Sequence, residues 1–383
     1  MKCDIIIPIW NQLEYTRACI ESLAGNTAYP HRLILVDNGS EAPARDYLQG
    51  LADSYKTLSG RDEPVILIRN SENLGFVKAV NQGLVASSSE YVCVLNNDTL
   101  ASWRWLENLI DFAESHPDAG LLNPQCDGHG ELSINEYAKI LEEKNRGKYM
   151  EMNQCQGFCM LIKREVIEKI GYLDERFGIG GFDDTDYSMR AGLAGYRCIS
   201  VYSSYVYHRQ HVSFRAMGDR KALVAKGEEE YFKKWPRHLR VGMVSSISGA
   251  TPDDKIKKLL NLNLYLARQW CWVNLWIFGD RDGMKERITA ISEKIKMPLH
   301  QNIKFNFFSP KFKNTQVLIR LIERSFGTKR RKRYDLILAE DESSASLING
   351  SYILHRTHAY LLDLGTDVEN RTGELLAKAR ETR

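Results

Sequence analysis

Short apolar segments alternate with amphipathic helical segments through the first hundred residues, and this order constrains the fold more than any other feature. Residues 3–8 are mostly apolar, as in a strand that is covered on both faces. Residues 13–23 follow with apolar side chains at helical spacing. The alternation continues with strands over 32–36, 65–69 and 91–95 and helices over 44–55 and 76–86. This β-α-β-α order predicts a largely parallel sheet in an α/β fold.

Polar residues directly follow three of these predicted strands. They are Trp10 and Asn11 after the first strand, Asp37 and Asn38 after the second, and Asn96, Asn97 and Asp98 after the fourth. In open α/β sheets the ligand crevice lies outside the carboxyl ends of the strands. We therefore expect all three clusters to face one crevice.

The chain of 383 residues is long enough for two domains. A stretch rich in Ser, Gly, Thr, Pro and Asp at 245–254 has the composition of a linker. Beyond it the pattern resumes, with strands over 272–278, 303–308, 335–339 and 360–364 and helices over 284–296, 315–326 and 368–379. We predict one domain over 1–245 and a second, smaller, Rossmann-like α/β domain over 255–383.

Composition limits the classes of partner. Charged residues make up 26% of the chain, and the net charge of +3 is too small to predict a nucleic-acid-binding protein. The eight cysteines form no CxxC pair, so we expect reduced core thiols rather than zinc ligands. No segment is both long enough and apolar enough for a transmembrane span, and Asp4 interrupts the first apolar run. We therefore expect a cytoplasmic protein without a signal peptide.

A series of short motifs occurs in a characteristic order within residues 1–240. They are residues 5–11, 36–40, 73–83, 95–99, 156–160, 173–177, 183–186 and 206–208. In this order they resemble the family 2 glycosyltransferases, and within that family the rhamnosyl- and galactofuranosyltransferase-like branch. The resemblance implies a GT-A fold, which is the Rossmann-like sheet of nucleotide-diphospho-sugar transferases. It also implies a glycosyltransferase that inverts the anomeric centre by a single displacement.

The resemblance assigns a divalent cation to Asp98 and His208, with diphosphate oxygens and water as the other ligands. Asn96 stands where the family usually has the first acid of a DxD-type motif, so Asp98 is the only carboxylate of this triplet. A cation here neutralises charge on the leaving phosphate. Mg²⁺ or Mn²⁺ suits the oxygen-rich site, and one imidazole favours Mn²⁺. The alternatives are that His211 is the ligand and that Asp98 only caps the following helix.

The resemblance also implies a donor pocket in which Asp37 accepts a hydrogen bond from N3–H of a pyrimidine base. The donor is then a UDP- or dTDP-sugar, whereas an Asx-turn with Gly39 is the alternative role of Asp37. The other residues assigned to the nucleotide sugar are Pro8, Trp10, Asn11, Asn73, Gly75, Lys78, Asn96, Asn97 and Asp98. Gly75 is included because glycine lets the backbone approach a ligand closely. Lys78 could equally be a solvated helix residue.

Glycosyl transfer needs a base that takes the proton of the acceptor hydroxyl. The family's Glu-Asp pair maps onto Asp183 and Asp184, with Asp184 as the base. We expect Asp184 at a helix N-terminus, where the helix dipole favours the ionised form. N-capping alone is the alternative. Acceptor contacts are assigned to Gly157, Phe158 and Trp105, although burial against the sheet is an equal alternative for the tryptophan.

A dense basic run in the second domain consists of Lys329, Arg330, Arg331, Lys332 and Arg333. A solvated linker is the ordinary interpretation. The sharper interpretation is contact with anionic lipid head groups at the inner face of the membrane, or with a phosphorylated acceptor. We expect a glycan or lipid-linked glycan as acceptor, in surface polysaccharide synthesis, and no nucleic acid.

Three other functions stay open. The first is a bifunctional enzyme with a second activity in the C-terminal domain. The second is a degenerate carbohydrate-binding or scaffold protein, to which Asn96 in place of an acid lends weight. The third is a nucleotidyltransferase, although the first strand is not followed by the glycine-rich basic loop that binds a triphosphate.

Overall fold

The computed structural model describes residues 3–59, 65–209, 220–324, 333–362, 364 and 367–381. The chain forms two units, Met1–Trp235 and Pro236–Arg383. The sequence suggested that the first domain ends at residue 245. Strand Arg240–Ser246, however, pairs along its whole length with Trp272–Phe278 of the second unit, so the division lies before this strand.

The first unit contains strands and helices in alternation. Its strands are β1 (Cys3–Ile9), β2 (His31–Asn38), β3 (Val65–Asn70), β4 (Tyr91–Leu95), β5 (Thr99–Ala101), β6 (Ala119–Gln125), β7 (Tyr149–Met152), β8 (Cys159–Lys163) and β9 (Arg197–His208). Its helices are α1 (Leu13–Asn26), α2 (Ala42–Ser59), α3 (Phe76–Ala86), α4 (Trp105–Ser115), α5 (Ile134–Asn145), α6 (Arg164–Ile170), α7 (Asp183–Leu193) and α8 (Arg220–Lys234). A 3₁₀ turn at Glu175–Phe177 precedes α7.

The strands of this unit form a mixed sheet in the order β7-β9-β6-β8-β4-β1-β2-β3, and β5 pairs with β9. Strands β4, β1, β2 and β3 run parallel, with Ile7 opposite Leu35, as the alternating pattern predicts. Strand β8 runs antiparallel to both β4 and β6. The predicted α/β class is therefore confirmed. The parallel strands end at a common edge, which is where the polar clusters were expected to meet.

Apolar side chains from the strands and helices form the core that holds this edge together. Ile5 and Leu33 from the strands and Ile20 and Leu109 from the helices are fully buried. Burial of each such side chain stabilises the fold by about 1.5–3 kcal/mol relative to exposure. The loops at the strand ends are thus attached to a close-packed hydrophobic core.

The second unit is a smaller α/β sheet. Its strands are β10 (Arg240–Ser246), β11 (Trp272–Phe278), β12 (Leu299–His300), β13 (Ile303–Phe308), β14 (Leu336–Ala339) and β15 (His358–Leu361). Its helices are α9 (Asp253–Arg268), α10 (Arg281–Lys294), α11 (Lys313–Glu323), α12 (Glu342–Gly350), α13 (Tyr352–His355) and α14 (Val368–Glu381). The sheet order β13-β11-β10-β14-β15, with all neighbours parallel, is a Rossmann-like order.

The basic run of the second unit can be placed only at its last residue. Arg333 is described, whereas Lys329, Arg330, Arg331 and Lys332 lie outside the described residues. Within the part of the chain that the structure describes, none of the helices is both long and apolar enough to span a bilayer.

Candidate active site

A cavity of about 510 Å³ lies at the carboxyl ends of β1, β2 and β4. Most of the residues that the sequence assigned to a site line it together. They are Pro8, Trp10, Asn73, Asn96, Asn97, Asp98, Gly157, Phe158, Asp183, Asp184 and His208. Five other assigned residues, Asn11, Asp37, Gly75, Lys78 and Trp105, are absent from this lining.

Asp98 and His208 meet because β5 pairs antiparallel with the end of β9, which sets Thr99 opposite His208. Oδ1 of Asp98 lies 3.3 Å from Nε2 of His208, and the carboxylate is buried. The ring of Phe158 stacks on the imidazole with a centroid distance of 5.0 Å. The backbone N–H of Arg209 donates to the carbonyl oxygen of Asp98 at 3.0 Å. The two side chains are therefore held as a pair at the cavity wall.

This pair fits the donor set of a divalent cation. Two ligands in neighbouring positions of an octahedral ion with bonds of about 2.1 Å are about 3 Å apart, close to the observed separation. Among the residues that the structure describes, no group of three or more His, Cys, Asp and Glu side chains is placed to hold a metal ion. Among the described residues, Asp98 and His208 are the side chains that would hold a cation here. The alternative ligand His211, with the neighbouring Ser213 and Arg215, lies outside the described residues.

Asp183 and Asp184 form the first two residues of α7 and also line the cavity. Oδ1 of Asp184 accepts hydrogen bonds from the Thr185 amide at 2.7 Å and from Nε2 of Gln154 at 3.2 Å. Its Oδ2 accepts from the Gly157 amide at 3.1 Å. The N-cap position of α7 is Phe182, so Asp184 is not the N-cap, and its carboxylate is oriented by donors from α7 and from residues 154–157.

The two neighbouring carboxyl groups have altered proton affinities. Burial, together with the negative charge of Asp184 beside it, raises the pKa of Asp183 to about 7. Burial also raises the pKa of Asp184 above its ordinary value, although hydrogen bonds from Gly157, Thr185 and Gln154 act in the opposite direction. The more numerous donors around Asp184 favour its ionised form over that of Asp183.

Asn11 lies in the loop after β1 and Asp37 near the end of β2, and the side chains of both bind backbone N–H groups after β2. The backbone N–H of Asn11 donates to Oγ of Ser40 at 2.8 Å. The side-chain Oδ1 of Asn11 accepts from the backbone N–H of Glu41 at 2.8 Å. Oδ1 of Asp37 accepts from the backbone N–H of Ser40 at 2.9 Å, one residue beyond the Gly39 of the predicted Asx-turn. Oδ2 of Asp37 lies 3.3 Å from Nε of Arg69.

Gly75 approaches protein backbone in this structure. Its φ is +89°, and a Cβ at this position would lie 2.8 Å from the carbonyl oxygen of Gly178. The structure therefore shows a close approach to the loop before α7, whereas the predicted approach of Gly75 to a ligand stays a prediction. Lys78 is exposed on α3 and lines a separate shallow depression with Tyr172 and Glu175, in agreement with the solvated alternative.

Trp105 is a core residue, which corrects its assignment to the acceptor site. Its side chain is fully buried in the hydrophobic core of the first unit. Nε1 donates to Oγ1 of Thr27 at 2.9 Å, so the polar atom of the indole is also satisfied inside the protein. The first turn of α4 thus points this ring toward the sheet, whereas Trp103 remains partly exposed.

Asn38, which was expected at the crevice, lines the cavity. Several other lining residues were not assigned to the site from the sequence. They are Ile9, Phe76, Cys126, Gln154, Gln156, Ile179, Gly180, Gly181 and Val224. Ile9, Phe76 and Gln156 belong to the quoted motifs and could have been included. Gly180 and Gly181 have φ of +110° and +98°, a conformation that glycine favours and that the Gly-Gly pair could have suggested. Val224 carries no local signal, because only the packing of α8 brings it to the cavity.

The mixed α/β sheet with an acidic cavity at its strand ends has the arrangement expected of a GT-A glycosyltransferase. Residues 4–171 match the family model described as Glycosyl transferase family 2. This part of the chain belongs to that family, and the second unit lies beyond the matched residues.

Curated relatives are similar over part of the chain. Protein y4gI of Sinorhizobium fredii is 25% identical over 61% of this chain and 28% of its own length. The O-antigen biosynthesis protein RfbC of Myxococcus xanthus is 24% identical over 56% of this chain and 18% of its own length. The amylovoran biosynthesis glycosyltransferase AmsE of Erwinia amylovora is 25% identical over 44% of this chain and 62% of its own length. The chain thus spans less than two thirds of each relative.

Two solved structures are also similar. The mannosyltransferase PcManGT of Pyrobaculum calidifontis, in complex with GDP-Man and Mn²⁺, has a TM-score of 0.47 at 13% identity and covers 92% of this chain and 86% of that one. Residues 1–349 of TarS from S. aureus have a TM-score of 0.43 at 15% identity and cover 61% of this chain and 72% of that one.

Proposed function

We propose that the first unit transfers a sugar from a UDP- or dTDP-sugar to a hydroxyl of a glycan acceptor, with inversion at the anomeric carbon. One observation carries this proposal: the Asp98–His208 pair and the Asp183–Asp184 pair line the same cavity. One pair fits a cation and the other fits acid–base chemistry. A single displacement needs both functions on opposite sides of one reacting carbon.

Asp184 is the proposed base. In the transfer, the acceptor oxygen forms a bond to the anomeric carbon, and its proton passes to the Asp184 carboxylate. The bond from the anomeric carbon to the phosphate oxygen breaks, and the diphosphate keeps the electron pair. The Gly157 amide and the Gln154 side chain hold the carboxylate in one orientation, which supports this role because a base must be aligned with the proton it takes.

Asp98 and His208 are the proposed ligands of Mn²⁺ or Mg²⁺. The bound cation would neutralise charge that develops on the departing diphosphate. Buried Asp98 is held by the strand pairing of β5 with β9, so the ligand pair is formed by the fold itself. The mixed oxygen and nitrogen donors suit Mn²⁺ slightly better than Mg²⁺.

Pro8, Trp10 and Asn73 are proposed to contact the nucleotide, since all three line the cavity near the ends of β1 and β3. Asp37 is proposed to accept a hydrogen bond from N3–H of the pyrimidine through Oδ2, which would require movement of Arg69 from its position 3.3 Å away. Gly157 and Phe158 are proposed to border the acceptor.

The acceptor is proposed to be a growing surface polysaccharide or a lipid-linked glycan. The names of two relatives, an O-antigen biosynthesis protein and an amylovoran biosynthesis glycosyltransferase, support this substrate class. We also propose a location at the inner face of the membrane, for which the basic residues around Arg333 are the supporting feature of the sequence.

A nucleotide-release assay tests the proposal. The full chain is incubated with UDP-glucose, UDP-galactose, UDP-N-acetylglucosamine and dTDP-rhamnose, each with and without Mn²⁺, and freed nucleoside diphosphate is measured. Water can take the place of the acceptor, so donor hydrolysis reports on the same machinery. We expect release from one donor that depends on Mn²⁺ and falls by more than about 100-fold in Asp184→Asn. Unchanged release in this variant would overturn the assignment of the base.

A further inference from the structure

The C-terminal end of α8 is attached to α7 by a group of polar contacts. Nζ of Lys234 lies 2.7 Å from Oδ1 of Asp186 and 2.9 Å from Oδ2 of Asp174. Nε1 of Trp235 donates to the same Oδ1 of Asp186 at 2.7 Å. We call Lys234, Trp235 and Asp186 the α7–α8 clamp. It joins three elements, since Asp174 caps the 3₁₀ turn before α7.

Asp186 occupies the first turn of α7, two residues after Asp184. Its side chain is fully buried, so its orientation is set by its partners and not by solvent. Its other oxygen, Oδ2, accepts from Nε of Arg190 at 2.9 Å within the same helix. Arg190 in turn donates to the carbonyl oxygens of Ile170 and Tyr172. Arg190 therefore ties α7 to the loop before it independently of α8.

The middle of α8 rests on the turn that precedes the catalytic carboxylates. A Cβ at Gly227 would collide with the carbonyl oxygen of Gly181, so the backbones of the helix and of this turn are in contact. The rings of Phe182 and Tyr231 pack with a centroid distance of 5.5 Å. The Gly181 amide donates to Oδ1 of Asp183 at 2.7 Å. Displacement of α8 would thus release the turn that orients Asp183.

We propose that Lys234, Trp235 and Asp186 are positioning residues for the transfer reaction: they hold α8 against residues 180–182 and thereby fix the direction of the Asp183 and Asp184 carboxylates in the cavity. This inference rests on the proposed acid–base role of Asp184. The clamp lies behind the carboxylates and none of its three residues lines the cavity. Its effect is therefore on alignment, to which rates are steeply sensitive.

The chain offers a matched set of variants. Lys234→Met removes the charge and keeps the apolar stem, Lys234→Arg keeps the charge, and Trp235→Phe removes one N–H donor while keeping an aromatic ring. Lys233→Met is the control, because this neighbouring lysine is exposed and pairs only with Glu229 and Glu230 of α8 in the described contacts.

Two readouts are measured on the full chain. The first is hydrogen exchange of the amides of residues 181–187, which needs no substrate. The second is nucleotide release with Mn²⁺ from the donor panel above, together with the dissociation constant of UDP. We expect Lys234→Met to speed exchange at 181–187 and to lower the release rate by about 10- to 100-fold, with UDP affinity within about twofold of native. Lys234→Arg should recover most of the rate.

The outcomes separate this inference from the proposed function. Unchanged exchange at 181–187 in Lys234→Met, or a native release rate despite faster exchange, would overturn the positioning role. A loss of rate in Lys233→Met equal to that in Lys234→Met would overturn it as well. If the native chain releases no nucleotide from any donor, the proposed function fails while hydrogen exchange still decides whether the clamp holds the turn. Should Lys234→Met fail to fold, Trp235→Phe carries the same test with a smaller expected loss of about three- to tenfold.

Discussion

Oδ1 of Asp98 lies 3.3 Å from Nε2 of His208, although the two residues come from distant parts of the first unit. The short strand β5 begins directly after Asp98 and pairs antiparallel with the end of β9. This pairing fixes the separation of the two side chains before any ligand binds. The Asp98–His208 pair leads directly to the first prediction.

Asp98→Asn and His208→Ala should each reduce Mn²⁺-dependent nucleotide release by more than about 100-fold, because each removes one of two protein ligands. Isothermal titration with Mn²⁺ and UDP measures the accompanying loss of cation affinity. Asp111→Asn is the control, since Asp111 is an exposed carboxylate that pairs with Arg104 at 3.6 Å. Full activity of Asp98→Asn at micromolar Mn²⁺ would contradict the ligand assignment.

The release rate should rise with pH as Asp184 ionises, at a higher pH than for an ordinary aspartate, since a base is active only when ionised and burial raises the pKa of this carboxyl group. Asp183→Asn removes the neighbouring negative charge, so the rising limb of the profile should move to lower pH. The pH profile of nucleotide release, measured for the native chain and the variant, tests this. A rising limb that stays at the same pH in Asp183→Asn would argue against Asp184 as the base.

The buried pair should also make the stability of the fold depend on pH. Because the pKa of Asp183 is about 7 in the folded chain and near 3.8 otherwise, the folded state binds more protons over this range. The free energy of unfolding contributed by this group therefore falls as pH rises from about 4 to 7. Asp183→Asn should raise the unfolding temperature at pH 8 relative to native and have less effect at pH 4. An equal shift at both values would contradict the linkage.

Gly75→Ala should destabilise the first unit by about 1–3 kcal/mol, because the new Cβ meets the carbonyl oxygen of Gly178 and the backbone conformation is strained for alanine. Gly171→Ala is the matched control, since Gly171 also has a positive φ but no atom lies within 4 Å of the position that an alanine Cβ would occupy. Urea unfolding of both variants separates the steric effect from the effect of φ. Equal losses would show that the contact with Gly178 contributes nothing.

Trp105→Phe should lower stability by about 1–3 kcal/mol without changing the Michaelis constant for donor or acceptor. The reason is that the Trp105 side chain is fully buried in the core, where its Nε1–H donates to Oγ1 of Thr27. Thermal unfolding and steady-state kinetics provide the two measurements. A raised Michaelis constant at native stability would instead support a place for this residue in the acceptor site.

The sequence predicted the part of the site that follows from strand order. Strand β4 and helix α3 have the bounds that the apolar pattern predicted, and Asp98 lies at the cavity because it follows a parallel strand. The start of α4 was harder to predict, since Trp103 and Trp105 are two residues apart but only Trp105 is a helix residue and buried, whereas Trp103 lies in the preceding turn and is partly exposed.

Contacts between segments that are distant in sequence could not be predicted from the local sequence pattern. The glycine at position 75 indicates a close approach, but the partner, Gly178, lies in a loop that no periodicity connects to it. Lys234 and Asp186 read as ordinary charged residues of two helices, and only the packing of α8 on α7 brings them within 2.7 Å. The short motifs therefore identified the carboxylates Asp183 and Asp184, whereas the contacts proposed to position them come from long-range packing that the motifs do not show.

The hydrogen bonds that join Asn11 to Ser40 and Glu41 have a consequence for ligand binding. They tie together the loops after β1 and β2, so both loops are ordered before a nucleotide arrives. A nucleotide would then enter a prepared surface and lose less affinity to the entropy of ordering the protein. Nucleotide binding at this edge should accordingly show fast association, and Ser40→Ala should slow it, because this change removes the Oγ that accepts from the backbone N–H of Asn11.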